Sequence, residues 1–303
     1  MANNIPQQQN EEQALRLLAA QRRLYDWAKI ALAIQIMLVV IVPGVLVVLE
    51  QFAASLKVWA ALAGLTISIL DAVLLDPVKA GFRHKAAATQ ELFDCQVLDL
   101  GWSSLKGRKP DREDLHGAAT GEKADNLKDW YPPSVGQLPL YVARIICQRS
   151  NCSWDSKLRR YYRVALISLT VITGVGIVIW ALMKHMLLED FVLSLLAPVL
   201  PFVLWGIREA KQQSEAAKRV DHLKSFGDEL WQQAMQKQIT PDTAATQSRM
   251  FQDEIYEHRR KSPMVFNWFY MLLRDKFESQ MTHTAADMIN EAHKNGLETP
   301  GSS

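Results

Sequence analysis

The chain has 303 residues, a formal net charge of +2 at pH 7 and a hydrophobic share of 49%. Its mean hydropathy of -0.05 is that of an ordinary soluble protein, and its nearly balanced charge excludes a chain dominated by one sign. Total charge therefore indicates no class of partner. The averages hide an uneven distribution, because the apolar residues are concentrated in a few long runs.

Four apolar runs are long enough to cross a bilayer, which takes about 20 residues. They occupy residues 28–49, 56–75, 164–183 and 187–207. Buried helices of a soluble protein are the alternative, but such runs rarely recur in one soluble fold. The polar N-terminal segment does not look like a secretory signal, since the first run starts too late and is too long for one. We therefore expect four membrane spans.

The basic residues orient these spans, because cytoplasmic flanks carry an excess of Lys and Arg. Basic clusters precede the first and third spans and follow the second and fourth: Arg16, Arg22, Arg23, Lys29, Lys79, Arg83, Lys85, Lys157, Arg159, Arg160, Arg163, Arg208, Lys211, Lys218 and Arg219. The short connections at 50–55 and 184–190 are on balance acidic. Both termini and the central segment are therefore expected in the cytoplasm, where the cysteines would stay reduced.

The segments outside the spans are rich in helix formers and show no convincing strand pattern. Thr240 and Ser262 each precede a proline, a pattern typical of helix starts, and Ser153 is a candidate cap for a helix that continues into the third span. We predict an all-α membrane protein with two transmembrane hairpins and a helical cytoplasmic domain. Its parts are an N-terminal helix at 1–27, spans one and two at 28–75, a central cytoplasmic segment at 76–163, spans three and four at 164–207, and a C-terminal cytoplasmic segment at 208–303.

The sequence contains no nucleophile elbow, phosphate-binding glycine loop or dinucleotide fingerprint. Cys147 and Cys152 are five residues apart, a spacing that does not place both thiols on one face of a helix. No histidine lies near them in the sequence. We therefore expect a protein that is not an enzyme and that has neither a cofactor nor a metal site.

Aromatic and basic residues form two cytoplasmic clusters. The first contains Trp130, Tyr131, Arg144, Arg149, Trp154, Arg159, Arg160, Tyr161 and Tyr162, and the second contains Tyr256, His258, Arg259, Arg260, Phe266, Trp268, Phe269 and Tyr270. Such residues are typical of a membrane interface and also of nucleotide sites, where rings stack on bases and arginines bind phosphates. The block 159–162 directly precedes the third span, so we expect it to anchor that span. For the other residues both interpretations stay open.

Two features inside the spans call for an explanation. Asp71 lies about one helical turn from the cytoplasmic end of the second span, where a carboxylate is costly. We expect it to pair with Lys29 or Arg163, while a position in an aqueous lumen or at the interface is the alternative. Pro198 and Pro201 each remove a backbone donor from the fourth span. They predict a kink that serves either gating or shape alone.

Four long and compositionally unusual stretches resemble a known family. They read "NNIPQQQNEEQALRLLAAQRRLY", "LLDPVKAGFRHKAAATQELFDCQVLDLGW", "DWYPPSVGQLPLYVARIICQRSNCSWDSKLRRYY" and "RRKSPMVFNWFYMLLRDKFESQM". They are similar to the SMODS-associated four-transmembrane (4TM) effectors of bacterial CBASS antiphage systems, which are proposed to form pores. The resemblance implies an inner-membrane protein that binds a cyclic oligonucleotide made by a cognate nucleotidyltransferase. Binding would lead to opening or assembly, membrane permeabilisation and abortive infection.

The resemblance supplies no binding motif, so the ligand site must be inferred from the two clusters. We expect Arg144, Arg149, Arg259 and Arg260 to bind phosphates, and Trp130, Tyr131 or Trp154 to stack on bases. Because four spans leave little room for a lumen, we expect a homo-oligomeric pore, with small residues at 60–64 and 173–176 permitting close contacts. A constitutive channel or transporter with a helical regulatory domain, and a non-conducting membrane scaffold, are the alternatives.

Overall fold

The computed structural model describes residues 3–42, 44–45, 49, 62, 65–67, 69–119 and 127–297. Within these ranges the chain is helical and has no strand, which confirms the all-α prediction. The predicted turn at 50–55 and the start of the second predicted span lie outside the described residues, as does most of the small-residue segment 60–64.

The α-helices of the described residues are α1 Ile5–Gln8, α2 Glu12–Ile36, α3 Asp76–Val97, α4 Arg112–Ala119, α5 Leu140–Met183, α6 Leu188–Phe191, α7 Ala197–Met235, α8 Pro241–Lys261 and α9 Asn267–Lys294. Three π-helical segments occur at Met37–Ile41, Asp71–Leu75 and Val192–Leu196. Short 3₁₀ helices lie at Ser104–Lys106 and Pro133–Gln137. Helix α2 packs along α3, and α5 packs along α7.

Helix α5 is the longest element and contains 44 residues. Within the described part of the chain it is the one helix that is long and apolar enough to cross a membrane, and most of its apolar half is exposed. It runs without interruption from the main buried core to the end of the third predicted span. It begins at Leu140, so Ser153 lies inside the helix and is not its cap.

The other predicted spans contain the π-helical segments, which are wider turns that often occur at functional sites. The segment Val192–Leu196 directly precedes α7, and Pro198 lies in the first turn of α7. The π-helical segment continues into α7 without a break, so Pro198 removes a backbone donor from a continuous helical stretch. A change of helix type thus coincides with the predicted kink, and α7 continues through Pro201. A role of these prolines in gating stays a prediction.

Gly206 allows α7 to approach α5 closely. A Cβ atom at residue 206 would lie 2.4 Å from the Thr170 Oγ1 atom. Gly174 and Gly176, by contrast, have nothing within 4 Å of the corresponding position among the described residues. Gly174 and Gly176 therefore have no close neighbour among the described residues. The close helix contact occurs at Gly206, which lies outside the predicted small-residue segment.

We expect Gly206→Ala to destabilise the purified protein by about 1–3 kcal/mol, because overpacking forces α5 and α7 apart. Gly176→Ala is the matched control and should leave the unfolding temperature of the detergent-solubilised protein nearly unchanged. Equal unfolding temperatures for the two variants would show that α5 and α7 do not pack closely at Gly206.

The main buried core forms where the first half of α5 meets α3, α7, α8 and the end of α9. The N-terminal segment belongs to this core, since Ile5 is fully buried. Asn3 donates hydrogen bonds to the carbonyl oxygens of Val135 and Leu138 at 2.7 and 2.8 Å. The Gln9 side chain donates to the Tyr131 carbonyl at 3.1 Å and accepts from the Tyr131 N–H at 2.7 Å. These contacts fix the loop before α5.

Candidate functional site

A buried polar network joins α3 to α8 in the main core. Glu91 and Asp94 on α3 are both fully buried. Arg259 donates to the Asp94 Oδ2 atom at 2.5 Å, and Arg249 donates to the Glu91 Oε1 atom at 2.5 Å. The Gln252 amide bridges the two carboxylates at 2.8 Å each. Because buried carboxylates are stable only when paired and hydrogen-bonded, this network is part of the folded core.

The pKa shifts within the network keep Arg259 charged and Tyr131 neutral. Burial lowers the pKa of Arg259, but the Asp94 carboxylate more than offsets this, so that the pKa lies above its ordinary value. Burial and the nearby Asp94 raise the pKa of Tyr131 well above its usual range. Tyr131 therefore stays protonated and donates to the Asp94 Oδ1 atom at 2.7 Å. An anionic ligand would have to displace a protein carboxylate to bind here.

An open cationic cleft lies closer to the predicted spans. It is formed by the start of α3, the middle of α7 and the turn after α8, and its lining residues are Asp76, Lys79, Ala80, Arg83, Gln212, Glu215, Arg219, Lys261 and Pro263. The cleft encloses about 770 Å³, including the open space at its mouth. Cationic side chains outnumber carboxylates in this lining, so the cleft favours an anion.

Arg83 is a partly buried cation of the cleft and is incompletely paired. Its Nε atom is buried without a hydrogen-bond partner in the described part of the chain. Its Nη1 atom lies 3.4 Å from the Ser262 carbonyl oxygen, a long contact. Burial lowers the pKa of Arg83, and the charges of Asp76 and Tyr25 only partly oppose that effect. A bound phosphate would satisfy this guanidinium with a charge-assisted hydrogen bond.

The other cations of the cleft differ in how they are held. Lys79 donates to Asp76 and to Gln35 on α2, both at 2.7 Å. Lys261 pairs with Glu257 at 2.9 Å and is exposed. Arg219 is exposed and forms no ion pair with any residue that the structure describes. The cleft thus combines a lysine that is held by two partners with an exposed arginine that has no ion-pair partner in the described part of the chain.

The cleft lies between helices that continue from two different predicted spans. Helix α3 begins where the second predicted span ends, and α7 continues from the fourth. A ligand that bridges Arg83 and Arg219 would therefore join the ends of the second and fourth predicted spans.

The comparison with known proteins decides the family. The family model described as "SMODS-associating 4TM effector domain" matches residues 3–288. The chain belongs to this family. It is also 25% identical over 285 residues to a protein of Bacillus cereus (strain VD146) named as a probable CBASS effector molecule, covering 91% of this chain and 95% of that relative. No solved structure matches the chain.

In this 4TM effector the predicted phosphate-binding arginines do not meet at one site. Arg144 donates to the carbonyl oxygens of Leu98 and Asp99 at 2.5 and 2.6 Å. Arg149 pairs with Asp228. Arg260 pairs with Glu257 at 2.8 Å, and Arg259 belongs to the buried network. Each guanidinium thus already binds a protein group, and their role in ligand binding stays a prediction.

The rings predicted to stack on bases pack against other rings of the effector. Trp130 and Tyr131 both contact Phe93, with ring centroids 6.2 Å apart in each pair. Trp154 contacts Phe277 at 5.7 Å between centroids. Trp154 and Arg149 do share a shallow cleft with Lys157. That cleft brings two of the predicted ligand residues together at the described surface.

The block predicted to anchor the third span divides into two faces. Arg159 is buried and donates to Asp155, Gln213 and the Pro263 carbonyl oxygen at 2.8, 2.9 and 3.0 Å. Tyr162 is also buried. Arg160 and Tyr161 are exposed. Only the exposed pair is therefore positioned to contact lipid, while Arg159 ties α5 to α7 and to the turn before α9.

Asp71 does not form the predicted pair within the chain of the 4TM effector. In the described residues it makes no ion pair with Lys29 or Arg163, and its Oδ1 atom is buried without a hydrogen-bond partner. Lys29 instead donates to Asn267, and Arg163 is exposed. The lumen alternative for Asp71 stays a prediction.

The cleft was missed from the sequence because its residues had another interpretation. The basic pattern around the predicted spans accounts for Lys79, Arg83 and Arg219 as orientation signals. Glu91 and Asp94 do carry a sequence signal for burial, because each lies at helical spacing from a buried apolar residue, Ala87 or Leu98. Two carboxylates on an apolar face indicate buried cationic partners.

Proposed function

We propose that this protein is an antiphage effector of the bacterial inner membrane, with four spans and both termini in the cytoplasm. It binds a cyclic oligonucleotide made by a cognate nucleotidyltransferase, and binding opens or assembles a homo-oligomeric pore that permeabilises the membrane and kills the infected cell. The membership of the 4TM effector family and the printed name of the Bacillus cereus relative support this proposal. It includes no catalytic step.

The observation that carries the proposal is the cationic cleft between α3 and α7. A cyclic oligonucleotide presents several phosphates around a ring, and the cleft presents cations on three separate elements. Arginine and lysine bind phosphate through charge-assisted hydrogen bonds. Such a ligand would draw together the cytoplasmic ends of the second and fourth spans. It shifts the protein towards an open state only if it binds that state more tightly.

Helix α5 gives the cytoplasmic domain a direct connection to the membrane. Its first half contributes buried residues such as Ile145 and Ile146 to the core, and its second half is the third span. The ion pairs of Glu91 and Asp94 with Arg249 and Arg259 hold α3 and α8 together, so these helices should move as a unit. A movement at the cleft would therefore displace the third span together with the core.

The test uses purified full-length protein in liposomes that contain a self-quenched dye. A panel of cyclic di- and trinucleotides is added, and dye release is recorded for each. We expect release with at least one cyclic oligonucleotide and none without ligand. Release without any ligand would contradict the proposal in favour of a constitutive channel. Tight nucleotide binding without release would contradict pore formation and favour a scaffold.

A further inference from the structure

The first turns of α9 carry an apolar patch that no other part of the described chain covers. Trp268, Met271 and Leu272 are 65%, 57% and 73% exposed. Residues at this spacing share one face of a helix. Three large apolar side chains in a row on an exposed face mark an interaction surface.

Contacts on the opposite side of α9 fix the level of this patch relative to the spans. Phe269 contacts Tyr162, with ring centroids 5.1 Å apart, directly before the third predicted span. Phe266 packs with Ala28 and Leu32 in the first predicted span. Phe266 also packs against the cluster that contains Leu166 of the third span and Ala210 after the fourth.

Polar contacts hold α9 at this level. The Asn267 amide donates to Asp26 at 2.5 Å, and its oxygen accepts from Lys29 at the start of the first predicted span. Further along α9, the ammonium group of Lys276 lies 5.3 Å from the centre of the Tyr161 ring. A cation thus follows the apolar patch on its cytoplasmic side, the order in which a bilayer presents acyl chains and anionic headgroups.

We propose that the start of α9 is an interfacial anchor whose Trp268, Met271 and Leu272 side chains insert into the cytoplasmic leaflet of the bilayer. The occupant of the patch is lipid, because the patch continues the exposed apolar surface of the spans at their cytoplasmic ends. Lys276 lies where a headgroup phosphate would be bound. This inference rests on the membrane placement in the proposed function and is independent of nucleotide binding.

The anchor gives the membrane a role in shaping the cleft. The turn that contributes Lys261 and Pro263 to the cleft leads directly into α9. Insertion of the first turns of α9 therefore holds one wall of the cleft at a fixed height above the bilayer. The second aromatic cluster is distant along the chain from any predicted span, but the fold places it next to the first and third predicted spans.

The test places a bimane fluorophore at single introduced cysteines and measures its quenching by lipids brominated in their acyl chains. The native thiols are buried, and burial raises the pKa of Cys95 to about 12, so mild labelling selects the introduced thiol. The variants are Leu272→Cys in the patch, Ile172→Cys in the third span, which is 68% exposed, and Leu105→Cys in the cytoplasmic domain, which is 94% exposed.

We expect strong lipid quenching at residues 172 and 272 and little at residue 105, with the reverse order for aqueous iodide. Quenching at 172 without quenching at 272 would overturn the anchor while leaving the membrane placement intact. Protection of residue 272 from both quenchers would overturn it too, since a protein partner would then cover the patch. Met271→Cys provides the same measurement if the Leu272 variant does not fold.

Discussion

Arg259→Ala should destabilise the cytoplasmic domain by about 3–5 kcal/mol, the cost of leaving a buried charge without its partner. Asp94 is fully buried and would lose the guanidinium that neutralises it. Only the hydrogen bonds from Tyr131 and Gln252 would remain. Thermal unfolding of the detergent-solubilised protein should show a decrease of the melting temperature on the order of 10 °C.

Arg260→Ala is the matched control, since it removes the same side chain one residue later. Arg260 pairs with Glu257 one helical turn away, and both side chains are 35% exposed. Such local pairs contribute little, about 0.3–0.5 kcal/mol. A loss of stability equal to that of Arg259→Ala would contradict the role assigned to the buried network. Loss of nucleotide response in Arg259→Ala should accompany this unfolding and does not by itself locate the ligand.

Arg83→Ala should weaken binding of the activating cyclic oligonucleotide by about 10- to 100-fold, because a hydrogen bond to a charged group contributes about 1.5–3 kcal/mol. The guanidinium lies within the cleft with its Nε atom unsatisfied. Its removal leaves no buried carboxylate without a partner, so the melting temperature should change little. Isothermal titration calorimetry of the purified variant with the nucleotide that triggers dye release is the measurement.

Arg108→Ala is the control for this experiment. Arg108 is 86% exposed, lies outside the cleft and pairs only with Asp111 in the same loop. The affinity of the Arg108→Ala variant for the nucleotide should equal that of the wild type. Because the cleft is open to solvent, the affinity of the wild type should also fall as salt rises. An unchanged affinity in Arg83→Ala would move the ligand away from the cleft and towards the predicted residues Arg149 and Trp154.

Local patterns in the sequence were sufficient to predict most of the helices. Thr240 caps α8 as expected, since its hydroxyl accepts a hydrogen bond from the Thr243 N–H at 3.2 Å. The similar pair at Ser262 does not start a helix, and α9 begins at Asn267. The intervening Met264 and Phe266 pack against the first predicted span, and this tertiary packing overrides the local signal.

The roles of individual arginines could not be predicted from composition. Arg259 and Arg260 are adjacent in sequence, yet one binds Asp94, 165 residues away, and the other binds a neighbour on its own helix. Helical geometry points consecutive side chains in different directions, but only the packing of α3 on α8 decides which one is buried. The cleft likewise depends on how α3 and α7 are placed on its two sides, and the residues that they contribute to its lining are more than a hundred positions apart in sequence.

The central claim is that a cyclic oligonucleotide bound in the cleft opens a path through the membrane. The most direct measurement is nucleotide-triggered dye release from liposomes that contain wild type, Arg83→Ala or Arg108→Ala at equal protein density. We predict that wild type and Arg108→Ala respond at the same nucleotide concentration, and that Arg83→Ala needs a concentration about 10- to 100-fold higher. Equal release from all three proteins at every nucleotide concentration would contradict the account.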